Sequence, residues 1–277
     1  MRRVPFTSIV LVSASLSFSA QTPALRTMRV DYFHTGGTSP EVFALDEVAI
    51  ESAAWPGPAR PREDTLRYGA YGFDVRIAAS KEIVYSAGFG SVFDEWVTTE
   101  EAKTASRTFH ESVRFPAPPS PVTLTIRKRG GSNTWQDVWT TTIDPKDMFV
   151  NTAAPVPDPG SVIALQKNGD SAVKVDLLLV GDGYTAAERG KFETDARRLM
   201  EILFATSPFK ERRADFNVWG LAPAASESGI SRPSQGIHRA SPVGATYDAF
   251  GSERYVLTFD NKAFRRVASY VAPAGES

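Results

Sequence analysis

The chain has 277 residues, 31 Lys and Arg against 32 Asp and Glu, no cysteine, and 42% hydrophobic and 11% aromatic residues. At roughly 150 residues per domain that length suggests two domains, large enough to bury a core without disulfide or metal staples. The formal net charge of −1 lacks the basic excess of a nucleic-acid binder, and the apolar content argues against disorder. Without cysteine there is no disulfide scaffold, no Cys-ligated zinc and no thiol nucleophile.

Residues 1–20 read as a secretory signal peptide. Arg2 and Arg3 supply the basic start, Ile9-Val10-Leu11-Val12 lies in the apolar stretch, and Ser17, Ser19 and Ala20 are the small residues near a cleavage point. The segment is too short and too rich in Ser and Thr to span a bilayer comfortably. The expected localisation is therefore secreted or periplasmic, with no membrane span after signal cleavage.

Residues 24–152 read as strands. Tyr71-Gly72-Phe73-Asp74-Val75-Arg76-Ile77 and Val122-Thr123-Leu124-Thr125-Ile126-Arg127 alternate with the period of half-buried strands. Further strands are expected at 42–50, 82–87, 109–115 and 135–143, separated by breakers such as Pro56-Gly57-Pro58 and Gly130-Gly131. Short strands punctuated by turns point to an antiparallel β-sandwich. Pro155, Pro157, Pro159 and Gly160 then mark a linker over 153–160, because prolines neither continue a helix nor sit in a central strand.

From 161 to 277 the period changes. Strands at 162–166 and 173–180 flank Asn168-Gly169, a hairpin-turn signal. Val175-Asp176-Leu177-Leu178-Leu179-Val180 reads as a strand buried on both faces. Thr185 and Glu188 have capping-box spacing, and Phe192, Ala196, Leu199, Met200 and Leu203 then lie on one helix face. Strands at 216–219 and 255–259, a loop over 223–244 and a helix at 263–271 complete an α/β order.

Chemistry is sparse. His110-Glu111-Ser112-Val113-Arg114 starts like the zinc motif His-Glu-x-x-His but has Arg at the second imidazole, so His110 and Glu111 are expected on the surface. His34 and His238 are expected in solvated loops, and the acidic pairs Asp46/Glu47 and Glu100/Glu101 in exposed polar stretches. No Gly-x-Ser-x-Gly elbow occurs. Gly181-Asp182-Gly183 follows a strand but lacks the third glycine and the Lys of phosphate loops.

The run from Val175 through Gly181-Asp182-Gly183-Tyr184-Thr185-Ala186-Ala187-Glu188 resembles the start of the catalytic domain in the IgA-peptidase family of zinc metallopeptidases. Phe216-Asn217-Val218-Trp219, Ser226-Glu227-Ser228-Gly229 and Thr246-Tyr247-Asp248-Ala249-Phe250-Gly251 with Arg254 extend the resemblance, and the β-rich region is similar to the module that precedes that domain.

The resemblance implies a sandwich followed by an incomplete α/β zincin-like metallopeptidase domain. It also implies zinc as cofactor and a protein or peptide substrate for the full-length form. No position here matches a zinc ligand or general base, so the chain is expected to be a fragment that binds no zinc and is inactive. Asp182 and Tyr184 are the candidate cleft-lining residues, at the carboxyl end of the strand. The alternative is a non-catalytic secreted sandwich that binds glycan or protein through Trp55, Trp96 or Trp139.

Overall fold

The computed structural model describes residues 25–57, 62–66, 68–154, 162–171 and 173–271. The expected signal peptide, and most of the expected linker, lie outside the described residues.

Seven strands build two antiparallel sheets. They are β1 (Arg26–Gly36), β2 (Glu41–Ala54), β3 (Tyr71–Ile77), β4 (Ile83–Phe89), β5 (Arg107–Pro116), β6 (Val122–Arg129) and β7 (Trp135–Ile143). One sheet has the order β2-β1-β5 and the other β4-β3-β6-β7. Met28, Val30, Tyr32, Val113 and Phe115 from the first share a core with Tyr71, Phe73, Val75, Leu124 and Ile126 from the second. Period-two alternation thus places one face of each sheet against the other, the packing of a β-sandwich. A short helix, α1 (Val92–Trp96), interrupts the strand pattern after β4. It carries Phe93 and Trp96 into a satellite cluster with Phe109.

The C-terminal region is built on β8 (Val162–Gln166), β9 (Val175–Val180) and β10 (Phe216–Leu221), in the order β8-β10-β9. The hairpin expected across Asn168-Gly169 does not form, because β10 inserts between β8 and β9. It pairs antiparallel with β8 and parallel with β9. The buried Asn217 of β10 fixes this arrangement. Its carboxamide oxygen accepts from the Asn168 and Gly169 amides at 2.8 and 3.2 Å, and its nitrogen donates to Asp176 Oδ1 at 3.0 Å. The turn residues thus bond across to β10 rather than closing a two-strand ladder.

Helix α2 (Arg189–Phe204) makes the crossover from β9 to β10 and covers one sheet face with Phe192, Ala196, Met200 and Phe204. Leu199, expected on that face, is exposed, and Phe204 takes its place. Helix α3 (Asn261–Ala268) sends Val267 to the opposite face, where it meets Leu221, Leu178 and Val180. Both faces of β9 therefore meet a helix, as its apolar run indicates. Its residues nonetheless remain half-buried or exposed, because β9 is an edge strand. The strand expected over 255–259 shrinks to β12 (Leu257–Thr258), paired with β11 (Ala245–Thr246). No helix among the described residues is long and apolar enough to cross a membrane.

Candidate functional site

The end of β9 enters a tight turn under the start of α2. Gly181 is required there by packing, since a Cβ would lie 2.6 Å from the Phe192 ring. Gly183 has φ +74°, the left-handed region that glycine enters at least cost, and its carbonyl accepts from Gly229 N at 2.7 Å. The capping box forms as the spacing predicts: the Thr185 amide and hydroxyl both donate to Glu188 Oε2 at 2.9 Å. The other Glu188 oxygen accepts from Ser228 at 2.7 Å, which ties the Ser226–Gly229 segment to the helix start.

Asp182 points across to the 241–245 loop. Its carboxylate accepts from Ser241 Oγ at 2.6 Å, Ala245 N at 2.9 Å and Val243 N at 3.2 Å. Tyr184 turns toward α2: its ring packs edge-on against Phe192, and its hydroxyl donates to Asp195 Oδ2 at 3.0 Å. Partial burial, then the Asp195 carboxylate, pushes the Tyr184 hydroxyl above its ordinary range. Lys191, 2.6 Å away, and Tyr184 hold Asp195 below the usual carboxylate range. Both candidate residues are engaged by partners within the chain. Asp182 organises a loop through three donors, and the Tyr184 proton is committed to a carboxylate that stays ionised.

The histidines depart from expectation. His238 is exposed, but His34 is fully buried and His110 nearly so. His34 follows Met28, Val30 and Tyr32 on the inward face of β1, stacked between Phe43 and Phe93 at 4.2 and 3.8 Å. Its two nitrogens face Glu111 at 3.4 Å and Glu41 at 3.7 Å. Burial opposes its charge, yet these two carboxylates raise its pKa overall. Glu41 is likewise opposed by burial but held at about 2 by His34, Lys128 and Tyr71.

His110 lies on the other face of the same sheet. Its Nε2 is 2.9 Å from Asp46 Oδ2, and its Nδ1 is 3.1 Å from Arg265 Nη2. Asp46 is carried there by the irregularity in the β1–β2 register between Asp31 and Tyr32, which leaves it outside the paired residues. It is half-buried rather than exposed. Burial works against its charge, but Lys262 and His110 bring its carboxyl below the ordinary range. Among the described residues, Asp31, Asp46 and His110 form the group whose donor atoms lie close enough to share a metal ion. Those donors are already taken. Arg29 and Arg265 hold Asp31 at 3.0 and 3.1 Å, and Lys262 holds Asp46 at 2.7 Å. Three cations around two carboxylates form an ion-pair network and do not suit a metal.

The tryptophans are largely spent on packing. Trp96 is fully buried, Trp139 packs against the sandwich core, and Trp55 meets Tyr85 edge-on at 5.3 Å.

A β-sandwich thus precedes a three-stranded sheet in which α2 joins the parallel strands β9 and β10, and Gly181-Asp182-Gly183-Tyr184 follows β9. Comparison with protein families assigns residues 163–276 to IgA Peptidase M64 and residues 19–140 to the Peptidase M64 N-terminus. The chain belongs to this metallopeptidase family, whose chemistry calls for a metal cofactor. No curated protein matches the chain.

Signals for the missed sites were present. The alternation Met28, Val30, Tyr32 continues to His34, and His110 is out of phase with Phe109, Val113 and Phe115. What a single strand does not reveal is which element covers its second face.

Proposed function

We propose that this chain supplies the N-terminal module and the opening of the catalytic domain of an exported zinc-dependent endopeptidase, and that it hydrolyses no peptide bond by itself. The observation that carries the reading is a pairing. Both parts of the chain match the peptidase family, yet none of its three histidines has a second histidine at His-Glu-x-x-His spacing. The donor group at Asp31, Asp46 and His110 does not replace the missing helix, because Arg29, Arg265 and Lys262 neutralise it. In this reading residues 24–152 are a sandwich domain, 153–160 a linker and 161–277 the first part of the metallopeptidase domain. Zinc and the protein or peptide substrate belong to the full-length form. Asp182 and Tyr184 act by shaping the loops at the carboxyl end of β9.

The test is incubation of the purified chain with a quenched-fluorescent peptide library and added zinc, with and without chelator. The reading expects no chelator-sensitive cleavage. Turnover abolished by chelator and restored by zinc would overturn it.

A further inference from the structure

We propose that His110 is the proton-sensitive element of a latch that holds α3 on the sandwich at neutral pH and lets it go on acidification. The latch lies on the face of the β2-β1-β5 sheet turned away from the sandwich core. Arg29, Asp31 and Phe33 of β1, Asp46, Glu47 and Glu51 of β2, and His110 and Arg114 of β5 meet Lys262 and Arg265 of α3 there. The contact also forms one wall of a groove of about 1130 Å³ between β2, the 144–153 segment and α3.

The hydrogen bonds define the protonation state. A guanidinium has only donors, so the 3.1 Å approach of Arg265 Nη2 requires His110 Nδ1 to accept. The proton of the neutral ring then sits on Nε2, where it donates to Asp46 at 2.9 Å. A second proton has only Nδ1 to occupy. It turns that acceptor into a donor facing a donor, and sets two cations side by side.

Charge balance points the same way. Asp31, Asp46, Glu47 and Glu51 are matched by Arg29, Arg114, Lys262 and Arg265, so one more proton leaves the network positive. Asp46 offers limited compensation, since Lys262 already holds it at 2.7 Å. Burial also pushes the Arg265 guanidinium down, and Asp31 only partly offsets this beside Arg29 and Arg114. The member free to respond is α3. An eight-residue helix has little stability of its own and depends on its contacts. Histidine is the side chain whose ordinary titration falls in the range where such a switch operates.

The experiment is hydrogen exchange of the full chain at pH 7.5 and 5.5, corrected for the intrinsic pH dependence of amide exchange. Amides of α3 should exchange roughly tenfold faster at the lower pH, while sandwich strands stay protected. His110→Gln can donate to Asp46 and accept from Arg265 but cannot take the proton, so its α3 exchange should not respond to pH. Arg265→Gln removes the opposing cation and should also lose the response, which keeps a test in hand if His110→Gln fails to fold. Equal α3 protection at both pH values in the native chain would overturn the proposal. So would a pH response that persists in either variant.

Discussion

The sandwich and the C-terminal region meet the same burial requirement with different numbers of partners. In the sandwich, two sheets cover each other, and Val30, Val75, Leu124 and Phe115 are wholly removed from solvent. In the C-terminal region, two helices cover a sheet of three strands, and β9 remains an edge. There Val173 and Val175 are 77% and 54% exposed, and Leu199 and Ile202 of α2 are 51% and 55% exposed. The contrast is between a closed core and, among the described residues, a region whose helices and sheet keep apolar side chains exposed. It also explains why the C-terminal region leans on the sandwich. Phe250 and Phe259 pack against the Phe93, Trp96 and Phe109 cluster, and α3 docks on the outer sheet face.

The contrast breaks most sharply at His34. His34→Ala removes the buried ring between Glu41 and Glu111 and leaves two carboxylates facing an aromatic core. Loss of one partner of a buried ionic cluster costs about 3–5 kcal/mol. Urea unfolding followed by tryptophan fluorescence should register that loss in the sandwich, with hydrogen exchange around Asp182 little changed.

Acid titration sharpens the same comparison. Glu41 falls from an ordinary 4.5 to about 2 on folding, so its contribution is present above pH 4.5 and disappears as pH drops toward 2. Discounted for solvent screening, that contribution is on the order of 1–3 kcal/mol. His34 shifts the other way. Its raised pKa contributes stability below pH 6.5 that fades as pH rises through the folded value. Sandwich stability measured against pH should therefore peak between about 4.5 and 6.5.

Smaller effects are expected at the end of β9. Asp182→Ala strands the Ser241 hydroxyl and the Val243 and Ala245 amides, at a cost of about 1–3 kcal/mol. Gly181→Val drives a side chain into Phe192 and should cost a similar 1–3 kcal/mol or so by overpacking. Both losses should show as faster exchange in the 241–246 segment and α2, with the sandwich unaffected. Leu199→Lys should change stability by less than about 0.5 kcal/mol, as for other exposed positions. A large loss there in thermal unfolding would mean that α2 has a partner surface in solution.

The sequence is most legible where one face of a strand is buried. The alternation at 71–77 gives the bounds of β3 directly, the strand expected at 135–143 forms with those bounds, and the Thr185–Glu188 capping box marks the helix entry. It is least legible where two distant segments meet. Asn168-Gly169 is a local turn signal, but the pairing depends on Asn217, almost fifty residues away. His110 reads as a surface residue until α3 covers it, and Asp46 is placed by a register irregularity that composition does not encode. The turn at Gly181-Asp182-Gly183 is legible as a turn. The direction in which Asp182 and Tyr184 point is set by the 241–245 loop and by Asp195.

In the proposed reading, this chain of a metallopeptidase family holds no zinc through its described residues. Calorimetric titration of zinc into the full chain tests this most directly. The expected result is no stoichiometric binding, because Arg29, Arg265 and Lys262 occupy the nearest donor group. One tightly bound zinc per chain, lost in Asp46→Asn or His110→Gln, would contradict it.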